Sequence, residues 1–444
     1  MSPDPDQESA RRVRTRRRFF LGAAAVAAGG TAAGVGLDRA LSSDRASPPA
    51  AVVRRAAVAA PVPEVPLGRQ PAGLPTRQHA WGTSLARDAD GNPIAPRFDR
   101  LLFFTVNGRP TPAYAQRLEA ALRTLERRYR WGPSGLLFTA GWGPGYFQRV
   151  LGIASPIPTA KGLSDFELPA IDDYDLCLHF ACDEEARLAT VEAALVHGEP
   201  LPGADGPLAI SSVLRWQETR TGFVGAGLPA AHQNVGGIPP GRPVAQDAPL
   251  FMGFKSNLKR NQATEDDVTV PDGPFAGGTT MQVSYMRLRL DSWYGQLTEA
   301  QRVAQMYAPQ VTPKQVSHFT TDAESDPNLL GEAINRYGVI GHSQTSARAR
   351  RHGQPLIIRR DFNTVDGGQA GLHFVSVQRT IEDFITTRNA MNATSAQLQN
   401  PAITDTVNNG INAFMFVLKR ANYILPPRPI RSFPLLPRGA DATT

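Results

Sequence analysis

The chain has 444 residues, 41% of them apolar, enough to bury a large core, which excludes a disordered or low-complexity chain. The formal charge is +7, but residues 1–60 carry ten Arg against five Asp and Glu, so that stretch supplies +5 and the remainder +2. The basic balance therefore belongs to the leader and argues against a nucleic-acid-binding body.

The leader contains Thr15-Arg16-Arg17-Arg18-Phe19-Phe20-Leu21 followed by an Ala/Gly-rich apolar run to about Val35. The run is too short and Gly-rich for a stable membrane span, and a basic stretch ahead of a short apolar one has signal-peptide architecture. The motif resembles the twin-arginine export signal, which implies passage through the twin-arginine translocase in the folded state and an extracellular, periplasmic or cell-envelope location. Residues 1–40 are read as this signal and 41–98 as a Pro-rich linker.

From Leu101 the hydrophobic periodicity alternates between strand and helix. Strands are predicted at Leu101 to Asn107, Gly135 to Trp142, Asp175 to Cys182 and Ile210 to Thr219. Helices are predicted at Pro112 to Arg130 and at Glu184 to Val196, the second capped by Asp183. After a long loop the pattern recurs, with strands at Thr280 to Leu290, Leu356 to Phe362 and Gly371 to Gln378 and helices at Thr298 to Tyr307 and Ile381 to Met391. A further helix is predicted near Asn408 to Ala421, ahead of a Pro-rich tail.

Two split strand-helix-strand units give an α+β fold of tandem ferredoxin-like modules, helices covering one face of antiparallel sheets. The boundaries are 99–222 for the N-terminal module, 223–278 for a long loop, 279–395 for the C-terminal module and 396–444 for an extension. A patternless loop of that length is usually functional. The two cysteines, Cys177 and Cys182, stand five apart on one predicted strand. They face opposite ways about 17 Å apart, beyond disulfide reach, and Cys182 is read as a buried thiol.

Several phrases, in order, resemble the dye-decolourising peroxidases: GWGPGYF (Gly141 to Phe147), YDLCLHFACDEEA, LFMGFKSN (Leu250 to Asn257), LIIRRDF and GLHFVSVQRTIEDF. The resemblance runs from about Leu101 to Met391 and implies a two-module fold of the dimeric α+β barrel type that binds haem b. It makes His342, in GHSQT, the axial iron ligand and Arg359 the distal arginine. Asp361 falls two positions on, on the same strand face as Arg359. Gly253, Phe254 and Phe374 fall at cofactor-binding positions. The implied partners are hydrogen peroxide, an organic reductant and, in a homo-oligomer, further copies of the chain.

Those residue types suit the chemistry. A neutral imidazole can ligate iron while a partner on its other nitrogen tunes the metal, and Glu382 or Asp383 is the expected partner. The guanidinium of Arg359 stays charged and stabilises a bound hydroperoxide anion. In the family's GFxDG motif the aspartate moves the peroxide proton, but this chain reads Gly253-Phe254-Lys255-Ser256-Asn257, with Ser256 at that position. A serine hydroxyl is no unaided general base, so a contribution of about 10²- to 10⁴-fold is in question. Glu265, Asp266 and Asp267 follow in the same loop and could return a carboxylate, though solvated loop charges are the commoner case. The readings left open are a peroxidase relying on its arginine, a degenerate haem-binding or haem-transfer protein, and a non-haem binding protein on the same scaffold. His373 reads as packing or surface; Trp142, Trp216, Trp293, Tyr285 and Tyr337 read as core or as carriers of radicals.

Overall fold

A computed structural model describes residues 62, 64–256, 258–316 and 326–436. The twin-arginine motif, the signal peptide 1–40 and Asn257 lie outside them. Among the described residues no helix is long and apolar enough to cross a membrane.

The N-terminal module runs β1 (Phe98–Val106), α1 (Pro112–Arg128), β2 (Leu137–Trp142), β3 (Leu176–Cys182), α2 (Glu185–Glu192) and β4 (Leu214–Phe223). Its strands lie in the order β4-β1-β3-β2, all antiparallel, which is the ferredoxin-like arrangement. The C-terminal module repeats it with β5 (Thr279–Leu288), α3 (Glu299–Met306), α4 (His342–Ser346), β6 (Ile357–Arg359), β7 (Phe362–Thr364), β8 (Gly371–Gln378), α5 (Ile381–Asn392) and β9 (Met415–Leu425). Here the order is β9-β5-β8, with β6 and β7 in succession along the free edge of β8. The sheets join where Asn363 pairs with Phe223 and Ile424 with Trp142, closing an eight-stranded antiparallel barrel.

Strand alternation separates the cores. Leu101 and Phe103 of β1 point into the barrel with Cys177, Met281, Val283, Val375 and Val377, whereas Leu102 and Phe104 face Leu118, Leu122 and Leu125 of α1. The two cysteines are free, buried and in different cores, Cys177 inside the barrel and Cys182 beneath the helices.

Four sequence expectations are corrected. The stretch read as a helix near Asn408 to Ala421 opens with a short 3₁₀ turn, Asn412–Phe414, and becomes strand β9, which pairs with β5 along its whole length and sends Ala421, Tyr423 and Leu425 into the barrel. Pairing with a waiting strand outweighs a spacing that also suits a helix. Strand β4 starts later than expected because Ile210 turns instead onto the end of the second helical segment, its N–H donating to Leu195 O. That helix is capped by Glu184, because the Asp183 carboxylate accepts the Arg97 N–H. Within the stretch read as linker, Gln78, His79 and Trp81 are buried, and Gln78 bonds both to Ala140 and to Pro426 O, tying the segment to the barrel wall.

Candidate functional site

On the helix-facing side of the C-terminal sheet, alternate residues line a cleft that is partly open to solvent. Its floor is Ser284, Met286 and Leu288 of β5, Leu372 and Phe374 of β8, and Met415 and Val417 of β9; α4 and α5 wall it. The mostly apolar floor, with a few polar and charged groups at its edge, is the kind of lining that suits a mostly apolar ligand fixed by a few polar contacts.

The expected site residues converge here. His342, Arg359, Asp361, Ser256, Phe254 and Phe374 all line the cleft. Gly253 does not: it forms an exposed turn at φ +86° that bonds back to Leu250 O and delivers Phe254 inward, where its ring packs edge-on to Trp293 and Tyr307.

His342 opens α4, and the turn before it is clamped twice. Ile340 pairs with the Asn409 segment through Ile340 N–H to Asn408 O and Gly410 N–H to Ile340 O. Gly410, at φ +55°, lies so close that a Cβ there would fall 2.9 Å from His342 Cα. The preceding Gly341 packs against Tyr307 so tightly that a Cβ would fall 1.8 Å from its carbonyl oxygen. Among the described residues neither ring nitrogen of His342 makes a hydrogen bond. Burial, then the positive charges of Arg359 and Arg388, push its pKa down to about 3, so the imidazole is neutral with a free lone pair at neutral pH.

The expected partners of that ring are engaged elsewhere. Asp383 pairs with Arg351 and accepts the Thr380 N–H at the start of α5, while Glu382 is exposed. A carboxylate at the first turn of a helix is held by free N–H groups, which outcompete a distant imidazole.

Arg359 ends β6, its N–H donating to the Gln262 side chain. It makes no ion pair among the described residues, and its Nε is buried without a partner. Arg360, its neighbour, points to the other face: its guanidinium lies 3.7 Å over the Trp81 ring and donates to His79 O. Burial lowers the pKa of Arg360 to about 10. The pair is therefore split as strand geometry requires, with Arg359 turned to the cleft. Asp361, 6% exposed, accepts a hydrogen bond of 3.1 Å from Ser256 Oγ.

Three charged residues of the cleft carried no sequence signal. Glu167, from the loop before β3, accepts from Arg388 Nε and Arg420 Nη1, each at 2.8 Å, and all three are nearly inaccessible. Burial works to raise the Glu167 pKa, but the two guanidiniums hold it below the ordinary carboxylate range. The acidic run of the long loop stays out of the cleft: Glu265 accepts the Gly82 N–H, Asp266 pairs with Arg77, and Asp267 caps Thr264. His373 is buried packing, bonded to Asp366 and set against the Tyr285 ring. Trp142 and Trp293 are core; Trp216 and Tyr337 reach the surface.

The sequence profile of one family, DUF7405, a family of unknown function, matches residues 96–427. The chain belongs to that family. No curated protein matches it. Among solved structures, a DyP-type peroxidase from Cellulomonas bogoriensis superposes with a TM-score of 0.50 at 19% identity, over 75% of this chain and 90% of that one. A single-residue variant of Rhodococcus jostii RHA1 DypB, in complex with heme, superposes with a TM-score of 0.52 at 13% identity, over 79% and 98%. These likenesses carry the architecture: the DUF7405 chain has the two-module α+β barrel of the DyP-type structures.

The residues present suit a haem. Among the described residues no three His, Cys, Asp or Glu side chains gather as a metal site. A haem iron needs a single protein donor, and the neutral imidazole of His342, with no hydrogen-bond partner among those residues, is such a donor. The orphaned Nε of Arg359 and the apolar floor complete the match to a flat group with a polar reaction face.

Proposed function

We propose that this DUF7405 protein is an exported, peroxidase-like haem protein that reduces hydrogen peroxide and oxidises an organic substrate. The observation that carries the reading is one cleft holding a neutral His342 ring together with an Arg359 guanidinium, the ring without a hydrogen-bond partner and the guanidinium without a counter-ion among the described residues. Haem b, held by His342, would supply a redox-active iron for peroxide chemistry. Phe254, Phe374, Met286 and Leu372 would give such a group an apolar surface to pack against. Arg359 binds and orients an anionic oxygen without giving up a proton. The twin-arginine leader supports export after folding, when a cofactor is already in place.

The test is optical. Mature protein purified with haem supplied is expected to show a Soret band that His342→Ala shifts or abolishes, and to consume peroxide with an organic reductant. No Soret band, or one indifferent to His342→Ala, overturns the assignment.

A further inference from the structure

Besides Glu167, the cleft holds a second carboxylate, that of Asp361. It is 6% exposed, and among the described residues the Ser256 hydroxyl is the one hydrogen-bond donor to its carboxylate. A buried carboxylate normally collects several donors; one left with vacant lone pairs is poised to take a proton. Arg359 and Asp361 line the cleft and also a second cavity, beneath Trp81 and Gly82, on the other side of β6. Both groups are therefore reachable from either space. The two residues before Ser256 are anchored, Phe254 by packing against Trp293 and Tyr307 and Lys255 by pairing with Asp88.

We infer that Ser256 and Asp361 form a proton relay serving the ligand bound beside Arg359. A weakly acidic ligand H–X gives its proton to Ser256 Oγ as the Ser256 hydroxyl proton passes to Asp361 Oδ1; the H–X and serine O–H bonds break and two O–H bonds form. The anion X⁻ stays against the Arg359 guanidinium, and the reverse transfer returns the proton. No electron moves in this step. The carboxylate is the base and the serine its conduit, which answers how a serine can stand where proton transfer is needed.

The inference rests on the haem reading, and cyanide separates the two. Hydrogen cyanide is neutral at pH 7 and must lose its proton to bind as the anion, whereas imidazole binds without losing one. In haem-loaded protein, Asp361→Asn and Ser256→Ala are each expected to slow cyanide association, followed by the Soret shift, by about 10²-fold or more. Imidazole association should be unchanged in both, and Ser256→Thr should recover the cyanide rate. Equal slowing of imidazole marks a merely structural effect and overturns the relay. So does normal cyanide association in either Asp361→Asn or Ser256→Ala. Absence of a Soret band in the unaltered protein instead sinks the haem reading itself.

Discussion

Glu167 is the carboxylate that balances two buried arginines of the cleft. It is 6% exposed and holds Arg388 (8%) and Arg420 (2%), so Glu167→Gln removes the counter-charge of two nearly inaccessible guanidiniums. Breaking a buried pair this way costs about 3–5 kcal/mol, mostly from the charge left behind. Two cations share one anion, so the upper part of that range is expected. The assay is urea unfolding of the purified protein at pH 7, with the midpoint falling at constant slope. Acid should mimic the substitution. The folded-state pKa of Glu167 lies below its ordinary value of 4.5, so its stabilisation is complete above pH 4.5 and is lost as the pH falls through the lowered folded value. Glu167→Gln should flatten that acid limb. A loss under about 1 kcal/mol, or an unchanged acid limb, would refute the picture of an unsolvated cluster, because exposed ion pairs contribute about 0–1 kcal/mol.

Two further predictions concern the histidine and its clamp. Burial lowers the pKa of both His342 and His79 to about 3 in the folded chain, against about 6.5 when unfolded, so their contribution to stability falls as the pH drops below about 6.5. His342→Gln should reduce the slope of unfolding free energy between pH 6.5 and 4.5; an unaltered slope counts against a buried neutral ring. Gly410→Ala puts a Cβ 2.9 Å from His342 Cα at φ +55° and should cost about 1–3 kcal/mol, with a displaced Soret band in haem-loaded protein. A variant matching the parent in both denaturation midpoint and spectrum removes the clamp from the account.

Much of the architecture was legible along the chain. Strands β1, β2, β3, β5 and β8 and helices α1, α3 and α5 follow local hydrophobic periodicity, because each buries one face and exposes or shares the other. The split order of these elements already implied two ferredoxin-like units. His342 and Arg359 were singled out as candidates through phrases that run in order along the chain, and alternation alone placed Asp361 on the same side as Arg359. The free, buried cysteines followed from strand geometry.

Tertiary structure decided what local pattern leaves degenerate. Met415–Leu425 has residues that suit a helix or a strand, and only the open edge of β5 makes it the strand that helps close the barrel. Glu167 belongs to a loop of the N-terminal module, yet it serves two arginines of the C-terminal one, more than 200 residues away, and no spacing rule spans that distance. Asp383 had the right chemistry for His342, but the free N–H groups of its own helix and Arg351 claim it first. Ser256 looked like the loss of a carboxylate in one dimension; in three, folding sets it 3.1 Å from Asp361. Periodicity is a property of neighbours in sequence, whereas partners for buried charges are chosen by proximity after the sheet has closed.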